Sequence, residues 1–584
     1  MPDAASPTTV PRPNPLVVFG VLALALALRL LHLSSAIQSP LSYQPGPDED
    51  YYRSFGDAVA HGRGADGAEF TFMDPGYGYL LGAFFRVAGL NVFAVYLLQG
   101  LVDTATVYGI FLAGRLLGRP RAGLLGALLY ALTSTAIMFC AALLKEIWVA
   151  AFVTWWVVGA LVLIRSDRRW AWFCFGAYCG AGVALRSTLL LLGLLALILP
   201  WFSRTGAMPM HGRLSLSALL GAGLITAMMP WSVRNFHAIG NWSPLPHNGG
   251  IVLHQIYNAQ NPESVIWIPP FVNYSQPGEI WRGYAAEAQR RAGHPLSAPE
   301  ADRYWKAEAF AFMRDQPARV AVDVARKGLV FLADTEVPNN RSSAEERLFS
   351  PLLRLLPPPM AWLLGMGLAG CVWFALQDRR WPIVAAPIAM SWLTFALFWA
   401  EDRFRFHAAP ALALCGGIWA DGMVVGAANL RRRLTAGRGA WAACGLLAVG
   451  VFTASMLLGA AFPAPAPRWD RVIWGYIKMG RNAEAAALAE RVVREQPDNG
   501  PVVEALGYLA AAERRYDEAA VSFRRAVELR PRSYFAHYNL AKAYLALGRG
   551  GEALQEAKIA RDLGPSGDAE ALVAEAGTKA PALP

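Results

Sequence analysis

Long apolar runs separated by short arginine-bearing loops fill most of the chain up to residue 462. Runs close to the roughly 20 residues that a bilayer crossing needs fall at 16–33, 91–113, 122–140, 145–164, 171–185, 188–202, 214–232, 358–377, 381–399, 407–428 and 440–462. The pattern predicts about eleven transmembrane helices. Two stretches interrupt it. Residues 38–90 form a long loop after the first span, with amphipathic pieces such as MDPGYGYLLGAFF (73–85), and residues 233–356 turn polar, with an amphipathic stretch at 301–333. A signal peptide is the competing reading of the first run, because Ser34-Ser35-Ala36 is a passable small-residue cleavage site. The next loop leaves the cytoplasm under either reading.

Beyond residue 467 the pattern changes period. Pro497, Pro531 and Pro565 recur at a constant interval, as do Ala485, Ala519 and Ala553, and Gly480, Arg514 and Gly548. Leu506, Gly507, Ala519, Phe523, Ala526 and Pro531, followed by Leu540, Tyr544, Ala553, Ala560 and Pro565, match the tetratricopeptide pattern. Small residues let paired helices pack closely and the proline ends the second helix. Such a stack binds a protein partner or caps the membrane part, and does no chemistry itself.

The expected organisation is therefore a cytoplasmic tail (1–15), an N-terminal membrane module (16–232) containing the long first loop, an extracytoplasmic mixed domain (233–356), further spans (357–462), a Pro-rich linker (463–467) and a repeat domain (468–584). The fold class is an all-α polytopic membrane protein with a mixed extracytoplasmic domain and a C-terminal helical repeat domain. Composition agrees: 55% of the 584 residues are hydrophobic, too many for a soluble domain. The net charge of +10 comes from arginines clustered in short loops, which speaks of membrane orientation and against nucleic acid. With the N-terminus inside, the loops bearing Arg115, Arg119 and Arg121, then Arg165, Arg168 and Arg169, then Arg204 and Arg213, then Arg379 and Arg380, and finally Arg431, Arg432, Arg433 and Arg438 all fall on the cytoplasmic side. The first loop, the 233–356 domain and the repeats then lie outside. The six cysteines sit in or beside apolar runs without metal-site spacing and read as core or lipid-facing thiols.

That topology gathers ionisable residues at one face. Asp48, Glu49 and Asp50 come from GPDEDYY (46–52), with Tyr51 beside them and Asp74 at the far end of the loop. Lys145 and Glu146 open the fourth span, Arg186 lies in the turn after the fifth, Arg234 follows the seventh, and Glu401, Asp402, Arg403, Arg405 and His407 mark the turn before the tenth. Charges at the edge of a hydrocarbon bundle are costly unless wet or paired, so they read as a site. Arginine forks suit the phosphate of a membrane lipid, and a carboxylate nearby can take a proton from an attacking hydroxyl. Each also has a plain reading: a solvated acidic loop, a Lys145–Glu146 ion pair at a helix end, arginines that snorkel or set topology. Together they fit transfer of a sugar from a polyprenyl phosphate. A flippase for a lipid-linked saccharide or a non-catalytic envelope scaffold using its repeats are the alternatives. The first would need ionisable groups deep within spans.

The ordered segments RLLHL (29–33), PDEDYYRSFGDAVAHG (47–62), MDPGYGYLL (73–81), LLKEIW (143–148), ALRSTLLLL (184–192), PWSVRNFHAIGNW (230–242) and EDRFRFHAAPALALCGG (401–417) resemble the GT-C superfamily of membrane glycosyltransferases, in particular bacterial family 39-like, protein-mannosyltransferase-related members. The resemblance implies a GT-C-like fold, a polyprenyl-phosphate-linked sugar donor, inversion at the anomeric carbon and a bacterial inner-membrane location. It carries the catalytic base onto Asp48, with Glu49 as the adjacent acid. Asp50, Tyr51, Asp74, Lys145, Glu146, Arg186, Arg234, Arg403 and Arg405 become candidates for binding the lipid phosphate or the sugar. The acceptor stays open among protein, glycolipid and polysaccharide, and the acids allow a divalent metal without requiring one. Asp50 departs from the family's usual neutral residue, and His407-Ala408-Ala409-Pro410 is a weak version of its leucine-proline run.

Overall fold

The computed structural model describes residues 13–63, 67–203, 208–261, 267–272, 277–356, 360–431, 438–462, 467–564 and 567–579. Most of the tail at 1–15 and of the Pro-rich linker, together with Arg204, Arg432, Arg433 and Pro565, lies outside them. Among the described residues every regular element is a helix. The mixed domain expected at 233–356 is therefore helical where it is described. The chain divides into two compact units: 1–35, 47–269 and 276–465 form the first, and 36–46, 270–275 and 466–584 the second.

Among the described residues, five helices are long and apolar enough to cross a membrane: Pro15–Ala36, Val92–Leu116, Glu146–Leu163, Met210–Ile239 and the Ala442–Ala461 part of a longer helix. The pair Pro120–Ala131 and Ser134–Cys140, bent by 59°, makes a sixth if it is one span. The bend falls at Thr133, whose backbone is extended and whose hydroxyl turns back to the Leu129 carbonyl at 3.1 Å. Helices also stand at the other expected spans, but Arg169–Leu185, Ala361–Ala375 and Trp381–Leu397 are shorter than a full crossing, and residues 187–202 are broken into three short helical pieces. The count of eleven counted apolar runs, and a run does not require an unbroken helix.

Glu146–Leu163 is the most enclosed of the five long helices, with 72% of its apolar window buried, against 17% for Pro15–Ala36. Trp156 and Trp172 anchor the core around it. Arg169–Leu185 packs on Met210–Ile239 at backbone contact. A Cβ on Gly176 would stand 2.0 Å from the Leu220 carbonyl oxygen, and one on Gly223 2.0 Å from that of Phe173. Only glycine allows so close an approach, the usual way helices meet in lipid.

The polar interlude supplies the helices Gly249–Ile256, Pro277–Ala292, Ala298–Asp315, Pro317–Val330 and Ser343–Phe349. Asp302 accepts from the Gly250 amide at 2.6 Å, closing the start of the first of these. His254 sits against Trp305 and Tyr284, and burial, then Arg291, pulls it down to about 4, so it is neutral.

The second unit stacks three helix pairs, Trp469–Lys478 with Asn482–Glu495, Gly500–Ala512 with Tyr516–Leu529, and Tyr534–Ala546 with Gly550–Leu563, followed by Gly567–Lys579. The turn positions predicted from the repeat are left-handed in all three pairs: Gly480 at φ 73°, Arg514 at 61° and Gly548 at 74°. Arg514 adopts there a conformation that costs a residue with a Cβ about 1 kcal/mol. The segment 36–46 belongs to this unit. Pro40–Tyr43 lies on the first repeat helix so closely that a Cβ on Gly475 would fall 2.1 Å from the Pro40 carbonyl oxygen, and Arg471 donates to the Gln44 carbonyl at 2.9 Å.

Candidate active site

GPDEDYY is the start of a helix and not a loop. Pro47 opens the helix Pro47–Ala60, and Asp48, Glu49 and Asp50 occupy its first turn, where proline is preorganised and acids meet the positive end of the helix dipole. Helical spacing then separates the three acids. Asp48 and Glu49 turn inward and are buried, whereas Asp50 is partly exposed beside Arg53, 3.7 Å away. Tyr51 packs into an aromatic cluster with Tyr52, Phe55 and Phe70.

Asp48 meets two segments far along the chain. Its Oδ2 is ion-paired with Arg403 and accepts from the Asn340 side-chain amide at 2.8 Å, while its own backbone N–H donates to Asn340 Oδ1 at 3.0 Å. Oδ1 takes part in neither side-chain contact. Glu49 receives a two-pronged bond from Arg341, at 2.6 and 2.9 Å, and the third prong of that guanidinium goes to Glu346 at 2.6 Å. Arg403 also donates to Glu401 at 2.6 Å. Burial raises Glu401 above the usual carboxylate range, with Arg403 pulling the other way.

A second set stands at the mouths of the fourth and fifth spans. Lys145 pairs with Asp74, whose other oxygen accepts from the Ser187 amide at 2.9 Å. Arg186 donates to Glu146 at 2.5 Å and lies over the Phe404 ring, 4.8 Å from its centroid. Lys145 and Glu146 thus have separate partners, and the ion pair between them that their adjacency suggested is not formed. The sets adjoin: Phe404 lies between Arg403 and Arg405 in sequence, its ring also faces Arg403, and the Tyr52 ring lies 5.5 Å from the Lys145 ammonium. Five buried polar atoms here have no hydrogen-bond partner among the described residues, namely Glu146 Oε2, Arg186 Nε, Tyr52 Oη, His407 Nε2 and Glu401 Oε1.

Two candidates are placed differently. Arg234 donates to the Phe70 carbonyl at 2.8 Å and faces the Phe55 and Tyr79 rings. Arg405 is held by Asp402 and by the carbonyls of Ala333 and Thr335, both at 2.6 Å. Sequence reasoning passed over Asn340, Arg341 and Glu346, which come from PNNRSSAEE (338–346). Its one signal was a dense polar cluster within the polar stretch 233–356. No group of three or more His, Cys, Asp or Glu among the described residues is arranged to hold a metal ion.

Comparison with known proteins places these segments. Residues 73–232 match the family model of dolichyl-phosphate-mannose-protein mannosyltransferase, a range that includes Asp74, Lys145, Glu146 and Arg186 and stops short of Asp48 and Arg403. Residues 474–534 and 510–576 match tetratricopeptide repeat models. No curated protein matches the sequence. Among solved structures, an oligosaccharyltransferase of Archaeoglobus fulgidus tethered to an acceptor peptide is 14% identical, with 79% of this chain and 57% of that chain covered and a TM-score of 0.40. The archaeal oligosaccharyltransferase AglB from Archaeoglobus fulgidus, in complex with an inhibitory peptide and a dolichol-phosphate, is 15% identical, with coverages of 78% and 57% and a TM-score of 0.36. The chain thus spans a little over half the length of each. A mutant of MamA is 24% identical, with 28% of this chain and 87% of that chain covered and a TM-score of 0.18. The chain is a helical, multi-pass membrane protein with a segment that matches the family model of dolichyl-phosphate-mannose-protein mannosyltransferase, followed by tetratricopeptide repeats.

Proposed function

We propose that this protein is an inverting glycosyltransferase of the GT-C type, moving a sugar from a polyprenyl-phosphate donor to an acceptor hydroxyl on the non-cytoplasmic face of a bacterial inner membrane. The observation that supports this best is the meeting of Asp48 with Arg403 and Asn340, three segments that are remote in sequence and that leave one carboxylate oxygen outside both side-chain contacts. Asp48 Oδ1 takes the proton of the acceptor hydroxyl as its oxygen attacks the anomeric carbon. The bond from that carbon to the phosphate oxygen breaks in the same step, and polyprenyl phosphate leaves with the electron pair. One displacement inverts the centre, so one base suffices.

Glu49 is fixed by Arg341 and holds the first turn in place. Arg403, Arg186 and Lys145 supply positive charge for the leaving phosphate, where preorganised donors are worth most. The unused Arg186 Nε is the donor best placed to engage it without giving up its bond to Glu146. The acidic first turn, the polar helices of 233–356 and the repeats lie outside, opposite the arginine-rich loops. Asp48→Asn should lower transfer from a short-chain polyprenyl-phosphate sugar by about a hundredfold to ten-thousandfold in protein of unchanged abundance and melting temperature. Full transfer by that variant ends the proposal.

A further inference from the structure

Next to the short helix Asp402–Phe406 lies a cavity of about 200 Å³ lined by Asp334, Thr335, Glu336, Ser343, Asp402 and Arg405, with Met360 as an apolar wall. Its walls continue into the candidate active site through both segments. The 334–343 stretch that borders it goes on to Asn340 and Arg341, and Asp402 and Arg405 flank Arg403. We propose that this cavity is a binding site for a single neutral pyranose ring, an inference that rests on the glycosyltransferase reading.

Size comes first. The space holds several waters at roughly 30 Å³ each and falls below the roughly 300–1,000 Å³ of a pocket for a drug-sized ligand, which suits one monosaccharide. The lining is then the kind that hydroxyls need. Carboxylate oxygens of Asp334, Glu336 and Asp402 accept, and Arg405, Ser343 and Thr335 donate. Two of these groups are buried and still unused: Arg405 Nε and Thr335 Oγ1 have no hydrogen-bond partner, at 2% and 8% residue exposure. A buried polar atom left unmade is costly, and a ligand hydroxyl would satisfy either one.

The lining charges nearly balance, three carboxylates against the guanidiniums of Arg405 and Arg347, which suits a neutral ligand. Asp402 is ion-paired with Arg405. Glu336 is bonded by the Ser343 and Ala344 amides and by the Ser342 hydroxyl. Asp334 accepts from the Ala361 amide at 3.2 Å. Each carboxylate already has a donor, so the site does not call for a second cation. Burial, then Asp402, pushes Glu336 up to about 7, against the amides that draw it down, so near neutral pH it can either donate to or accept from a sugar hydroxyl.

The ring could belong to the donor or to a glycan acceptor, and the experiment separates these. Full-length protein in detergent is titrated with methyl pyranosides of glucose, mannose, galactose and N-acetylglucosamine, with binding read by saturation-transfer NMR. At least one should bind saturably, and Thr335→Val and Glu336→Gln should each weaken it tenfold or more. Thr335→Val should keep the wild-type melting temperature, because its hydroxyl bonds nothing within the protein. Competition with a short-chain polyprenyl-phosphate sugar assigns the ring to the donor, and its absence assigns it to the acceptor. Asp48→Asn should bind the glycoside normally, so loss of catalysis and loss of this site stay distinguishable. Failure of all four glycosides to bind, or wild-type binding by both cavity variants, overturns the inference.

Discussion

Two buried charge clusters invite comparison. Deep among the spans, Arg29 donates twice to Asp103 Oδ2, at 2.8 and 2.6 Å, and to the Ala131 carbonyl at 2.7 Å, while Tyr130 donates to Asp103 Oδ1 at 2.7 Å. Both carboxylate oxygens and all three guanidinium nitrogens are engaged, since Arg29 Nη1 also reaches the Ala25 carbonyl. At the mouth of the same bundle, the Asp48, Glu146 and Arg186 cluster is also buried yet leaves Glu146 Oε2, Arg186 Nε, Tyr52 Oη, His407 Nε2 and Glu401 Oε1 without partners among the described residues. A completed network joins three helices and has nothing left to offer a substrate. An incomplete one carries a standing cost that a substrate can relieve. Burial and charge alone would have ranked the two together.

The comparison breaks most readily at Asp103. Asp103→Asn leaves a buried guanidinium without its counter-ion and should cost about 3–5 kcal/mol, seen as a large fall in thermal stability. Transfer per folded molecule should stay near wild type, the reverse of the pattern expected for Asp48→Asn. Replacing the pair together, Arg29→Met with Asp103→Leu, should restore much of the loss, since a buried pair often does no better than an apolar one of similar volume. Transfer that falls in step with stability would mean that the inner network also serves the chemistry.

Acidity sharpens the contrast next. Glu336 is held at about 7 against an ordinary value of 4.5, so the folded protein keeps this proton over a range in which the unfolded chain has lost it. Stability from this group is therefore full below about pH 4.5 and falls as pH rises through about 7. The groups that face it are Asp402, the amides of Ser343 and Ala344, the Ser342 hydroxyl, and across the cavity Asp334, Arg347 and Arg405. Glu336→Gln should flatten the decline in melting temperature between pH 5 and pH 8. An unchanged slope would assign the decline to another group. The smallest expected effect is that of Tyr130→Phe. It removes one hydrogen bond to a charged oxygen and should cost about 1.5–3 kcal/mol, with no change in the KM for donor.

Much of this architecture was legible in the sequence because it rests on local or periodic signals. The repeat interval placed the turns at Gly480, Arg514 and Gly548 in all three pairs. Apolar runs located the helices, though not where Thr133 would bend one or where short pieces would replace a span. At the site, Asp48 and Arg403 were read as members of one face. With Pro47 as a helix start, helical spacing puts Asp50 on nearly the opposite side from Asp48 and leaves Glu49 between them, so only the tertiary partners decide that Glu49 joins Asp48. Partner choice was not legible. Lys145 and Glu146 are neighbours in sequence and bond to Asp74 and Arg186 instead. Asn340 and Arg341 sit in a polar stretch without periodicity, 292 residues from the acids they hold.

The packing of residues 36–46 within the repeat unit bears on how this protein can be dissected. The repeats look detachable at the Pro-rich stretch 463–467, yet their first helix is also the surface on which Pro40–Tyr43 rests. Deleting residues 468–584 would strip that cover from a strap whose last anchored residue, Gln44, comes just before Pro47 and Asp48. A shortened chain would thus lose its repeats and the packing surface of residues 40–43 in one cut. Point changes on the outer surfaces of the repeats leave that packing in place and test the repeats alone.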